Sequence, residues 1–369
     1  MIEKKISPKK TFLFDKHVEM GARLVPFSGF EMPVQYQGIN SEHLSVRENV
    51  GIFDVSHMGE FIFEGPEATK MLNFLSTNDI EKLPIGGVLY TLICNEDGGI
   101  LDDAMAYRIM ENKYMLVVNA SNIEKDFQWA LSRNCFDCEL NNISEEMCLI
   151  ALQGPNSKIV LEKLIPRNNK FKNLDSFQLM ECEIDKTTVL ISRTGYTGED
   201  GYEIYCGKKI VNMIWDLLME SGKTLGIMPC GLGSRDTLRT EMKYSLYGNE
   251  INESTNPFEA GLGWVVKLNS SDFIGHEKLS EIRSEGVCRK LIGFEMIDRG
   301  IPRKGNKIFF QEKEIGFVTS GTMSPSLNKA IGIGYVLKGS FSVDTEFEID
   351  IRGSYRRGRV VKTPFYSRD

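Results

Sequence analysis

One order of signals, strand, turn, strand, helix, occurs twice in this chain with starts roughly a hundred residues apart, and any fold has to house both copies. In the first, residues 88–93 (VLYTLI) and 100–109 (ILDDAMAYRI) alternate as strands around the turn N-E-D-G-G at 95–99. Asp97-Gly98 suits the left-handed turn conformations that close a hairpin. A third strand, Tyr114 to Val118, ends at Asn119. Ser121-x-x-Glu124 then reads as a capping box, with Ile123, Phe127 and Leu131 on one helix face. In the second copy, strand 187–192 (TTVLIS) runs through TGYTGEDG into YEIYC and a helix from about Lys208 to Glu220. Both copies carry E-D-G, at 96–98 and 199–201, and the shared order predicts a duplicated α+β unit.

The flanks differ in texture. Pro8, Pro26, Gly29, Pro33 and Gly38 make the first fifty residues loop-rich, after which Ser41 reads as the N-cap of a short helix to Asn49. Gly65-Pro66 opens another helix with Met71, Leu72 and Leu75 as its apolar stripe. From about Arg289, short β-rich runs such as RKLIGFEM, AIGIGYV and GRVVKTPFY alternate with Gly, Pro and Asn turns, the spacing of a small all-β barrel or sandwich. The polar segment Ile274–Glu285 reads as the connecting helix.

Several function classes fall away. Lys and Arg total 44 against 51 Asp and Glu, a net charge of −7 with no basic block, which disfavours a nucleic-acid partner. No apolar stretch approaches 18 residues, so no membrane span is expected, and the N-terminal MIEKKISPKKT has no apolar segment after it to make a secretory signal. Eight scattered cysteines fit a reducing, cytoplasmic location. Cys135 and Cys138 have C-x-x-C spacing but no matching second pair, so incidental thiols at a helix–strand junction outweigh a redox or zinc site. His17, His43, His57 and His276 are isolated from one another and from acidic clusters, so no metal centre is expected. There is no Walker loop and no G-x-S-x-G elbow, and GLGSRD at 231–236 lacks the third glycine of a dinucleotide fingerprint.

What remains is a set of polar residues among apolar strands. Asp102 and Asp103 are neighbours in a strand, so only one faces inward; a buried carboxylate needs a task, though a strand-start Asp bonding the Gly98-Gly99 turn is an even alternative. Glu203, in GYEIY, could accept paired N–H donors from a heterocycle or simply face solvent. Arg235 and Arg239 lie four apart on one helix face and suit an anionic ligand, or an exposed helix surface. Tyr90, Tyr196 and Trp264 could stack on a planar ligand, or fill core.

The segments PVQYQGINSEHLSVRENVGIFDVSHMGE (33–60), YTLICNEDGGILDDAMAYRI (90–109), VVNASNIEKDF (117–127), ALQGP (151–155), SRTGYTGEDGYEIY (192–205), GLGSRDTLRTEM (231–242), NPFEAGLGWVVKL (256–268) and VVKTPFY (360–366) together resemble the aminomethyltransferase, or T-protein, family of the glycine cleavage system. The resemblance spans the chain in order. It implies an α+β, three-domain cloverleaf: a duplicated ferredoxin-like folate-binding core of two interleaved subdomains over 1–272, and a C-terminal β-barrel or sandwich domain over 273–369. It implies transfer of the methylene of an aminomethyl group, held on the lipoyl arm of H-protein, to tetrahydrofolate as co-substrate, with release of ammonia. Carried over by position, Asp103 becomes the catalytic carboxylate, Asp102 faces away and serves the turn, and Glu203 takes the pterin edge. Met58, Tyr90, Val117, Asn119 and Tyr196 become the walls, and Arg235 and Arg368 meet polar or anionic parts of the folate. The alternatives are a folate-dependent demethylase and a non-catalytic folate-binding protein of the same superfamily.

Overall fold

In the computed structural model, which describes residues 7–165, 169–270, 272–339 and 341–368, each copy of the repeat becomes one sheet with helices on its outer face. Before the repeats come β1 (Lys9–Lys10), α1 (Phe14–Glu19), β2 (Arg23–Phe27), β3 (Phe30–Gln35), α2 (Ile39–Glu48) and β4 (Val50–Asp54). The first repeat runs β5 (Gly59–Glu64), α3 (Ala68–Leu75), β6 (Val88–Cys94), β7 (Ile100–Met110), β8 (Lys113–Val118), α4 (Ile123–Arg133) and β9 (Glu139–Asn142), in spatial order β6-β7-β8-β5-β9. The second runs β10 (Met147–Gln153), α5 (Ser157–Leu164), α6 (Asn169–Lys172), β11 (Leu179–Ile184), β12 (Thr187–Ser192), β13 (Gly201–Gly207), α7 (Val211–Gly222) and β14 (Ile227–Pro229), in order β11-β12-β13-β10-β4-β14.

The two topologies match strand for strand once β4, inserted between β10 and β14, is set aside. The duplication is therefore real, but its register is not the one E-D-G suggests. That tripeptide joins the first and second meander strands in one repeat (β6 to β7) and the second and third in the other (β12 to β13). Turn chemistry recurs wherever a chain reverses, so three shared turn residues carry no alignment.

Each sheet buries two faces. The outer face of the five-stranded sheet packs Phe61, Ala104 and Leu116 on Met71, Leu72 and Leu75 of α3, and the six-stranded sheet packs Ile150 and Ile204 on Val160 of α5 and Trp215 of α7. The inner faces meet through Val88, Tyr107, Met115, Leu149, Ala151 and Tyr205. Burial on both faces explains why these strands read as nearly continuous apolar runs.

After β14 comes α8 (Leu232–Glu241), the helix of GLGSRD. Its glycines serve packing: a Cβ on Gly231 would lie 2.4 Å from the carbonyl carbon of Val34 in β3. The Gly231 N–H donates to the buried Glu42 carboxylate at 2.9 Å, so a side chain already holds the helix N-terminus. Past α9 (His276–Glu285), six strands close a barrel: β15 (Arg289–Met296), β16 (Lys307–Phe310), β17 (Lys313–Ser324), β18 (Lys329–Leu337), β19 (Glu346–Ile351) and β20 (Ser354–Val361). The β-rich C-terminal segment is thus a barrel rather than a sandwich.

Local expectations fail where capping is supplied from elsewhere. The segment before Ile39 is a hairpin, β2 and β3, rather than loop; Pro33 sits beside a bulge, where a missing N–H costs no ladder bond. α2 starts two residues before Ser41 because the Glu42 carboxylate accepts the N–H groups of Tyr36 and Gln37 ahead of it. α4 has Asn122 rather than Ser121 at its cap, and Leu131 is exposed while Ile123 and Phe127 pack inward. Residues 1–6, which hold most of the basic N-terminal segment, lie outside the described residues.

One buried ion cluster fastens barrel, core and C-terminal tail. The Glu241 carboxylate, at the end of α8, accepts from Arg47 Nη2 at 2.8 Å and from Ser324 Oγ, Ser326 N at 3.1 Å and Ser326 Oγ at 2.8 Å in the β17–β18 turn. His43 Nε2 lies 3.2 Å away. The Glu241 carbonyl accepts the N–H of Phe365 at 2.8 Å. Arg47 also reaches Glu199 at 3.0 Å and lies over the Tyr366 ring. Burial opposes the charge on Glu241, but His43, Ser324 and Arg47 outweigh it and bring its pKa down from 4.5 to about 2. That depression contributes stability present above pH 4.5 and lost as pH falls toward 2, on the order of 3 kcal/mol. Glu241→Gln, which takes one of two buried carboxylates from Arg47 and leaves it Glu199, should cost on the order of 3 kcal/mol and remove that part of the acid sensitivity. Urea melts at pH 7 and pH 3 check both, and an equal loss for wild type and variant at low pH would discard the assignment.

Candidate active site

Strand alternation builds the site. In the antiparallel ladders, Tyr90 is opposite Met105 and Met105 opposite Val117, so Tyr90, Asp103, Met105, Tyr107 and Val117 share the inner face of the five-stranded sheet. Asp102 points to the outer face, beneath α4. Across the gap, Glu203 and Tyr205 of β13 face inward from the other sheet. α8, the 243–249 and 260–264 segments, and Lys304 of the barrel domain complete the walls of a cavity of about 1000 Å³.

Of the residues singled out from the sequence, Met58, Tyr90, Asp103, Val117, Asn119, Tyr196, Glu203 and Arg235 all line this cavity. Arg368 does not. Its guanidinium pairs with Glu199 and donates to the Arg47 carbonyl at 2.8 Å, so it belongs to the clasp around Glu241. Trp264, 61% exposed, stands at the rim and stacks on Tyr90 with ring centroids 5.8 Å apart. Arg239 is buried by Glu250 at 2.9 Å, Asp236 at 2.7 Å and Ser320 at 2.7 Å, which pins α8 to the barrel. Cys135 and Cys138 are free thiols away from the cavity, at the α4–β9 junction, and burial pushes Cys138 up to about 11.

Asp103 is held on both oxygens. Tyr90 OH donates to Oδ2 at 3.0 Å and Asn119 Nδ2 to Oδ1 at 2.8 Å. Burial and then the neighbouring Asp102 charge raise its pKa to about 7, against the lowering effect of those two donors. A carboxyl near neutrality can exchange a proton or carry charge as the reaction demands. Asp102 does not serve the Gly98-Gly99 turn: its carboxylate accepts Asn119 N at 2.9 Å, Asn119 Nδ2 at 2.8 Å and Asn122 Nδ2 at 2.7 Å.

Glu203 is half satisfied. Thr194 Oγ1 and, at a long 3.5 Å, Tyr107 OH both approach Oε2, and Oε1 has no donor among the described residues. Burial raises its pKa, while Thr194 and Arg235 act against the rise. Arg235 lies over the Tyr196 ring at 4.7 Å with no carboxylate paired to it among the described residues, and burial lowers its pKa. Tyr196 stacks on Tyr244 and donates to the Ser245 carbonyl.

Two wall residues have no sequence signal of their own kind. His57 sits edge-on to Phe27 and Phe30, its Nδ1 without a hydrogen-bond partner among the described residues; burial and the Arg235 charge bring its pKa down to about 4, so the ring is neutral at pH 7. Lys243 follows α8 in the left-handed region at φ 57° and has no ion-pair partner among the described residues. A lone histidine and a lone lysine become visible only when the chain is folded.

A deep slot between aromatic faces, with an open carboxylate oxygen on one wall and a near-neutral carboxyl on the other, suits an enzyme moving a small group to or from a flat heterocycle. The comparisons narrow this. Residues 13–270 match the GCVT N-terminal domain and residues 289–367 the glycine cleavage T-protein C-terminal barrel domain. The chain is 48% identical to the aminomethyltransferase of Geobacillus sp. (strain WCH70), covering 98% of this chain and 99% of that one, and 49% identical to that of Halothermothrix orenii, covering 97% and 99%. The crystal structure of glycine cleavage system aminomethyltransferase T from Bartonella henselae superposes with a TM-score of 0.91 at 34% identity, covering 98% of both chains. The chain belongs to the glycine cleavage T-protein family of aminomethyltransferases.

The geometry around Asp103 has a measurable sign. The Tyr90 hydroxyl favours the ionised carboxyl, so Tyr90→Phe should move the acid limb of the turnover–pH profile upward, and Asp103→Asn should abolish that limb. A limb that stays in place in Tyr90→Phe would show that some other group titrates.

Proposed function

We propose that this chain carries out the aminomethyltransferase step of glycine cleavage, with tetrahydrofolate as co-substrate and lipoylated H-protein as partner. In that reaction the C–S bond of a lipoyl S–CH2–NH2 group is broken, the carbon is bound to two nitrogens of tetrahydrofolate, ammonia leaves and the dithiol arm is returned reduced. The observation that carries the reading is Asp103: a half-buried carboxyl raised to about 7, fixed by Tyr90 and Asn119 at the wall of the slot.

The other walls support the same ligand. The open Glu203 Oε1 suits the adjacent N–H donors of a pterin edge, and the faces of Tyr90 and Tyr196 suit its plane. Arg235, half-buried and with no carboxylate paired to it among the described residues, suits a polar or anionic portion of the folate. In its ionised form Asp103 offsets positive charge that develops on the transferred carbon and its nitrogen, and it can take up a proton as the amine is released. Residues 1–272 are read as the folate-binding core and 273–369 as the barrel domain. No described helix is long and apolar enough to cross a membrane. The eight free cysteines suit a reducing compartment, which supports a cytoplasmic setting for the enzyme and its partner.

The test is to supply tetrahydrofolate and H-protein carrying the aminomethylated lipoyl arm, and to measure 5,10-methylenetetrahydrofolate and ammonia. Both should appear in equal amounts, and Asp103→Asn should lower turnover by roughly 10²–10³ while folate affinity changes far less. Formation of methylenetetrahydrofolate from a small methylated amine, with no response to H-protein, would favour the demethylase reading. Absence of any folate-induced rise in melting temperature would remove the folate assignment altogether.

A further inference from the structure

Behind the site lies a third carboxyl with no role so far. Asp126, on the inner face of α4, is 2% exposed, and no N–H or hydroxyl donor among the described residues reaches either of its oxygens. What it faces is the carboxyl of Asp102, itself fully buried. Two ionised carboxylates cannot share a dry site; one must hold a proton and donate it to the other. The donors around the pair decide which. Asp102 accepts three N–H bonds, from Asn119 N, Asn119 Nδ2 and Asn122 Nδ2, each favouring its anion, whereas Asp126 accepts none.

We propose that Asp126 is a positioning residue: it stays protonated, donates to Asp102, and so fixes Asp102 as the anion that orients Asn119 and sets the proton affinity of Asp103. The link is geometric, because the single Asn119 amide nitrogen bridges Asp102 Oδ1 and Asp103 Oδ1, each at 2.8 Å. The inference rests on Asp103 being the catalytic carboxyl.

The other charged and titratable groups facing this chain of carboxyls leave the assignment intact. Lys125, next to Asp126 on α4, points its ammonium to the Leu101 carbonyl at 2.7 Å, Tyr247 OH at 2.9 Å and Glu253 at 3.4 Å, so its charge favours the anions without donating to Asp126. Tyr90 and Tyr196 face Asp103 from the cavity side. Burial is the largest cause raising both Asp102 and Asp126, and the bond between them acts in opposite senses, lowering Asp102 and raising Asp126.

The experiment compares wild type with Asp126→Asn, Asp126→Ala and Asp102→Asn. Infrared difference spectra, wild type minus Asp126→Asn at neutral pH, should show the carbonyl stretch of one un-ionised carboxylic acid, a readout independent of activity. Asp126→Asn replaces O–H by N–H as donor, so it should keep turnover within a few-fold and leave the acid limb in place. Asp126→Ala should lose roughly ten- to a hundred-fold, the cost of one hydrogen bond to a charged acceptor. Asp102→Asn removes the like charge behind Asp103 and should shift the limb downward by about one pH unit. Absence of the infrared band, or a downward shift of the limb in Asp126→Asn, would mean that Asp126 is ionised and would overturn the proposal. If the band is present but Asp103→Asn retains turnover, it is the reading of Asp103 that fails.

Discussion

The Glu241 carboxylate is the interaction on which the arrangement of this molecule depends. Four separate stretches of chain converge on it: α2 through Arg47 and His43, the β17–β18 turn through Ser324 and Ser326, the TGYTGEDG turn through Arg47 and Glu199, and the C-terminal tail through Phe365. Charges buried this thoroughly are tolerated only when every partner is present, so the cluster is satisfied in one docking geometry of barrel against core and in no other. The cavity inherits that geometry. α8, which ends at Glu241, carries Arg235 on the cavity side and is tied to the barrel by Arg239.

Within the core, the division of labour among the carboxyls follows from the pleat. Asp102 and Asp103 are covalent neighbours with opposite fates because successive strand residues face opposite sides of a sheet. One looks into a slot between aromatic walls; the other looks toward a helix and is dressed by amide donors. The sheet between them is thin enough for Asn119, at the end of β8, to touch both. The cavity wall and the wall that supports it are thus the two faces of one strand.

Much of this was legible in the sequence, and the exceptions share a cause. Strands such as Val88–Cys94 and Ile100–Met110, and the helix carrying Met71, Leu72 and Leu75, announce themselves by periodicity that burial enforces locally. The cavity residues were found largely through the resemblance, since spacing alone left Asp102 and Asp103 undecided. Features made by distant partners were not legible. The start of α2 depends on Glu42 accepting N–H groups outside the helix, the cap of α4 on a turn of 3-10 helix ahead of it, and the position of Arg368 on Glu199, far away in sequence. The surroundings of His57, Lys243 and Asp126, which leave the first two without an ion-pair partner among the described residues and set the third against Asp102, are likewise a property of the fold, invisible in their neighbours along the chain.

The placement of β4 has a consequence for the order in which the molecule is made. The five-stranded sheet is contiguous in sequence, from Gly59 to Asn142, and its strands are all available once that stretch has emerged during synthesis. The six-stranded sheet is not: β4, synthesised before the first repeat, pairs with β10 and then, in parallel, with Ile227–Pro229. Its edge at Val50–Asp54 waits through more than a hundred and seventy residues for its last neighbour. Long-range pairing of this kind is slow and leaves a strand edge open to the wrong partner, and the polar grip of His17 and Thr11 on Asp54, at 2.9 and 2.7 Å, is made entirely from residues upstream of it. The strand that waits longest for its last neighbour is thus anchored at Asp54 by side chains that precede it in the chain, and the same anchor persists in the finished fold.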